Sequence, residues 1–217
     1  MTEPTPPFTA GWDIADEEAT KTVASAARAL DSAIRVANAP TDALHRAAAL
    51  IDEATSLLTP HRVDGIPMQG RLGPTGQSFN PVDFFPWSPI IGALNPLSAD
   101  MRLTFDPETQ HMSGLATFDA KYSGPPGMVH GGIIALAFDE LLGTTNVCLE
   151  LGGFTGTLSI RYEKPTFIDL EVAMDAFLDR TEGRKVFTVG TMSINGSVTA
   201  RAEGIFIRTQ GWDRNQT

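Results

Sequence analysis

Two adjacent carboxylates, Asp139 and Glu140, stand in a stretch that is otherwise apolar: Ile133, Ile134, Leu136, Phe138, Leu141 and Leu142. A helix apolar on nearly every side is a buried helix. A carboxylate on it is costly unless it is paired, hydrogen-bonded, neutralised or set at an opening. Asp139 has Ala135, Leu136, Leu142 and Gly143 as its helical neighbours, which argues against a solvated face. An acid in that setting suits a general base or a nucleophile. Glu140 points about 100° away around the helix, so the two acids do not serve one point. The stretch opens on Gly131-Gly132, preceded by His130. The first turn of a helix has N–H groups without partners and a partial positive charge, and glycine lets a ligand come close. Together these make an oxyanion site for a carbonyl oxygen gaining charge.

Gly131 and Asp139 are eight residues apart, about 12 Å along a helix. One helix therefore does not bring both to a single carbonyl carbon. A two-fold dimer with antiparallel central helices does, placing Gly131 of one copy beside Asp139 of the other. The smallest active unit expected is thus a homodimer, with a tetramer as a dimer of dimers left open. His130 reads as an orienting or capping group. No second His or Cys lies nearby with ligand spacing, so no metal is expected. The sequence has no nucleophile elbow, P-loop or dinucleotide fingerprint.

These residues need elements to hold them. The chain has 217 residues, 42% hydrophobic and 19% charged, enough for a domain with a core. Its net charge of −10 makes nucleic acid and anionic membranes poor partners. A single cysteine, Cys148, rules out an intrachain disulfide. No apolar run reaches membrane-spanning length and the N-terminus has no signal-peptide pattern, so a cytoplasmic protein is expected. Residues 1–15 read as a tail. Residues 16–60 read as a helical hairpin: Val23, Ala27, Leu30 and Ile34 recur on one face, then Leu44, Ala48, Ile51 and Leu58 after a Thr41 cap. The hairpin is too small to stand alone and should dock on the main domain or on a partner subunit. Residues 61–100 are a Pro/Gly-rich covering segment with an aromatic knot of Phe84, Phe85 and Trp87. Strand patterns fill 101–208 apart from the apolar helix, with an Asn195-Gly196 hairpin turn, and 209–217 is a second tail. The result is an α+β arrangement: an antiparallel sheet of about five strands wrapped around one long apolar helix, the layout of a hotdog fold.

The string Val129-His130-Gly131-Gly132 with Asp139 nine residues after the His, then Gly143, resembles the PaaI-like branch of the hotdog acyl-CoA thioesterases, the 4-hydroxybenzoyl-CoA thioesterase superfamily. The longer string GPPGMVHGG is most similar to the human superfamily members that act on long-chain acyl-CoA. The resemblance implies hydrolysis of an acyl-CoA to free acid and CoA, with no cofactor. It implies Asp139 as catalytic acid, the Gly131 N–H of the opposing subunit as carbonyl polariser, His130 as loop support, and Thr155 as the group that places water. Val129, Gly132 and Thr157 are expected to contact substrate. Some PaaI-like enzymes carry an Asn six residues before the His; here Gly124 stands there, which sets the chain apart from the enzymes of small aromatic acyl groups. Arg161, Lys164, Arg180, Arg184 and Lys185 form the pool for CoA phosphates. Two other readings stay open: an acyl-CoA sensor that leaves the thioester intact, and a hotdog hydratase of enoyl thioesters.

Overall fold

A computed structural model describes residues 16–62 and 85–208. The two tails, Phe84 of the aromatic knot and the rest of 63–84 lie outside the described residues. The elements are α1 (Glu17–Val36), α2 (Thr41–Leu58), β1 (Arg102–Asp106), β2 (His111–Thr117), α3 (Gly131–Cys148), β3 (Phe154–Tyr162), β4 (Glu171–Glu182), β5 (Lys185–Ile194) and β6 (Ser197–Ile207).

The strands form one sheet in the order β1-β2-β4-β5-β6-β3, with every neighbouring pair antiparallel. The sheet has six strands where about five were expected, two before α3 and four after it. Short connections make β4, β5 and β6 neighbours, and Asn195 and Gly196 both take positive φ in the last turn. The chain from β3 to β4 instead crosses the sheet, so β3 pairs with β6 and ends at an edge.

The sheet wraps α3. Phe138, Leu141 and Leu142 of the helix are fully buried among Met112, Val172, Ala176, Met192, Ala200 and Phe206 of the strands. Full burial of side chains of this size stabilises the fold by about 1.5–3 kcal/mol each, so this layer carries the domain. The segment after residue 84 covers one end of it. Buried Ser88 accepts from the N–H groups of Ile90 and Ile91, and both isoleucines join the core. Phe85 packs against that core too.

The two N-terminal helices form where the pattern places them, but they do not use the expected faces. Asp16 caps α1 by accepting from Ala19 N. Thr41 is the first residue of α2 rather than its cap; Pro40 holds the cap position and no side chain closes that end. α1 buries only Ala24, and α2 buries nothing.

Candidate active site

The loop before α3 is built by close backbone bonding. Met128 N donates to Pro125 O, and Gly127 sits at φ 74°, the conformation a type II turn requires at that position. Gly124 N donates to Met128 O, Val129 N to Thr166 O, and His130 N to Tyr122 O. Tyr122 is itself anchored, its hydroxyl donating to Leu97 O, and burial holds its phenol above the usual range. Gly124 is there for space: a Cβ on it would lie 2.9 Å from His130 Cα. The Asn found at this place in some similar enzymes would push the His130 backbone aside.

His130 is the N-cap of α3. Its Nδ1 accepts from Gly132 N at 2.9 Å, which places the proton of the neutral ring on Nε2. Its carbonyl takes the N–H groups of Ile133 and Ile134. Of the N–H groups of the first turn, that of Gly131 has no acceptor among the described residues. Val129 is 4% exposed, so it supports the loop from within the core.

β3 runs beside α3 in the opposite direction and holds it at two points. Near the end of the strand, Tyr162 Oη donates to Gly131 O at 2.9 Å. Near its start, Thr155 Oγ1 donates to Asp139 Oδ1 at 2.8 Å. The second contact depends on a β-bulge between Thr155 and Thr157, where Thr155 pairs with buried Phe206 but Thr157 pairs with Ile205. Side chains two apart on a regular strand share a face; one extra residue separates them. Thr155 therefore turns to the helix, while Thr157 joins Ser159 and Arg161 on the outer face. The side chains of Leu158 and Ile160, on the inner face, pack against the core.

The structure thus gathers the named residues into two groups. His130, Gly131 and Gly132 meet at the start of α3, with Tyr162 of β3, a partner that no motif in the sequence marks. Asp139 and Thr155 meet two turns further along. Asp139 is half-buried, neither in the core nor on an open face. The two groups do not meet within one chain, as the rise of about 12 Å requires. Of the basic pool, Lys164 bonds Ser197, Arg180 pairs with Asp179 and Glu182, and Arg184 bonds Arg208 O. Among the described residues no group of three or more His, Cys, Asp or Glu side chains is placed to hold a metal, and no helix is long and apolar enough to cross a membrane.

A six-stranded antiparallel sheet around one buried helix is the hotdog fold, and the chain shares it with solved members of the thioesterase superfamily. A crystal structure of one thioesterase superfamily protein is 27% identical, with a TM-score of 0.75, covering 89% of this chain and 92% of that one. In sequence, the chain is similar to acyl-coenzyme A thioesterase THEM4 of Xenopus laevis, 42% identical over 65 residues, 30% of this chain and 29% of that protein. It is also similar to acyl-coenzyme A thioesterase THEM5 of Homo sapiens, 34% identical over 89 residues, 40% of this chain and 36% of that protein. The chain thus matches about a third of the length of these curated relatives. No family model matches it.

Proposed function

We propose that this protein hydrolyses acyl-CoA thioesters to a free acid and CoA. The observation that carries the reading is the Asp139–Thr155 hydrogen bond, an acid fixed at the edge of an apolar helix whose N-terminus offers an N–H with no acceptor among the described residues. The sequence likeness to named acyl-CoA thioesterases supports the same class.

In this reading two copies place their α3 helices antiparallel, so that Gly131 of one faces Asp139 of the other. β3 is the end strand of the sheet among the described residues, and exposed Tyr162 on it supports a contact on that side. Asp139 takes a proton from a water held by Thr155, and the water oxygen bonds to the thioester carbon. The carbonyl oxygen becomes an oxyanion and is held by the Gly131 N–H. Collapse breaks the C–S bond, and the proton on Asp139 passes to the departing sulfur. Direct attack by Asp139, giving an anhydride that water then opens, uses the same positions. Gly132 lines the carbonyl end. Thr157, on the outer face, is the weaker of the expected substrate contacts. Arg161 and Lys185 are the members of the basic pool whose side chains bond no other described residue, and they are the candidates for the CoA phosphates.

A panel of acyl-CoAs of rising chain length, followed by release of free thiol, tests the reading. Release with at least one chain length, lost in Asp139→Asn while acyl-CoA still binds, is the expected result. Binding with no thiol release at any length would replace it with the sensor reading.

A further inference from the structure

α1 is docked by its polar side. Arg28 donates to the carbonyls of Ala93 and Asn95, Ser32 to the Asp119 carboxylate, and Arg35 to Ser123, around the single buried Ala24. Lys121 reaches back to Arg28 O and Ser32. The apolar stripe of Val23, Leu30 and Ile34 lies on another side of the helix and stays 38–59% exposed. α2 is more extreme. At about 100° per residue, Leu44, Leu50, Ile51, Leu57 and Leu58 share an arc of about 140°, and Asp42, His45, Arg46, Asp52 and Glu53 occupy the opposite side. All four leucines are more than half exposed.

A helix in a protein owes most of its stability to packing such a face rather than to the propensities of its residues. The two helices do not cover each other. The chain between them is extended, with ψ of 138° at Ala37 and 152° at Pro40, and it carries α2 off without folding it back on α1. Each copy therefore presents two apolar surfaces, each suited to the other, that remain apart. Exchange of elements through a short hinge between two copies is a low-cost route to a dimer. A membrane fits poorly: the polar side of α2 has three acids against Arg46, where a surface-lying helix is rich in Lys and Arg, and the chain carries a net charge of −10. The solved thioesterase superfamily structure, matched over 89% of the chain, necessarily takes in part of this region.

We propose that α1 and α2 form an exchanged arm, in which the apolar face of α2 from one copy packs on the outward stripe of α1 from a second copy, and reciprocally. The contact is independent of the hydrolase reading and holds whether or not thioesters are cleaved.

Cysteine pairing in the full-length protein tests it. Two chains with tags of different mass, one Ile34→Cys and the other Leu44→Cys, Leu50→Cys or Leu57→Cys in turn, are co-expressed and treated with a short bis-maleimide; buried Cys148 does not compete. A crosslinked species of mixed mass is expected with at least one pair. Leu57→Glu added to the α2 chain should cut its yield at least fivefold and lower the helical circular dichroism, whereas Ala49→Glu, on the polar side, should leave both unchanged. No mixed species with any pair, or crosslinks only within a chain that carries both cysteines, would overturn the exchange. So would a yield that Leu57→Glu leaves intact, or sedimentation of the arm with anionic vesicles. Thiol release, measured on the same samples, reports separately on the hydrolase reading.

Discussion

The α3–β3 layer and the α1–α2 arm both carry apolar helical surface, and the chain treats them in opposite ways. α3 is enclosed, and its polar features are tied to the sheet around it: Gly131 to Tyr162 and Asp139 to Thr155 of β3, and Asn146 to Thr188 of β5. α1 is attached through polar groups and leaves its apolar stripe outside, and α2 leaves the four leucines of its apolar face outside. The first pattern belongs to a site whose geometry one chain fixes by itself, although completing the proposed site takes a second. The second belongs to a surface finished only by a partner. Apolar patterning shows that a face is to be buried; it does not show by whom.

Substitutions separate the two regions, with the largest effect at the acid. Asp139→Asn should lower thiol release about a hundred- to ten-thousand-fold, the range for losing a general base. Its thermal midpoint and crosslinking yield at the arm should hold, and full activity in this variant would move the assignment to Glu140. Next is Gly124→Ala. A Cβ 2.9 Å from His130 Cα forces the loop to shift, at a cost of about 1–3 kcal/mol in a denaturant titration. Unchanged stability would mean that the loop is looser than its hydrogen bonds suggest. Thr155→Val removes a hydrogen bond to a carboxylate and should reduce kcat by about ten- to a hundredfold, with Thr155→Ser restoring most of it. A change confined to KM would point to substrate binding rather than placement of acid and water. Tyr162→Phe loses the clasp at the helix start and should cost about 0.5–1.5 kcal/mol of stability. No effect there would show that β3 holds α3 at one point only.

The smallest expected signal is none at all. Burial pushes the Cys148 thiol up to about 12, so the native protein should not react with an aromatic disulfide reagent at pH 8, and thiol counted in the acyl-CoA panel comes from CoA. The unfolded chain ionises this thiol from about 9, so its support for the folded state is full below that pH and declines as pH rises toward 12. Prompt labelling at pH 8 would mean that the end of α3 opens.

Much of the fold was readable along the chain. The apolar run with Gly-Gly at its start, the strand alternations and the Asn195-Gly196 turn are local signals, and the helix and strands lie where those signals place them. Thr155, which the resemblance implies as the group that places water, donates a hydrogen bond to Asp139 itself, a contact that the sequence does not announce. Thr155 reaches the helix only because of the bulge, and a bulge is set by register against β6, 50 residues away in sequence, which alternation within β3 does not encode. The same slip sends Thr157 to the outer face. Alternation along β3 puts Tyr162 on the face of Leu158 and Ile160, but nothing local marks it as a partner of Gly131, because its reach depends on how the edge strand lies across the helix. The docked side of α1 was hidden for a similar reason: Ala24, Arg28, Ser32 and Arg35 look like a solvated face until the carbonyls of Ala93 and Asn95 and the Asp119 carboxylate are set opposite them.

The sequence by itself determined which segments are helix and strand and which helix is buried, since these follow from side-chain period and burial cost. Tertiary structure alone decided which groups meet: Thr155 with Asp139, Tyr162 with Gly131, and polar contacts rather than apolar ones under α1. Each of those contacts joins residues distant in the chain, and its energy exists only once the sheet has closed around α3.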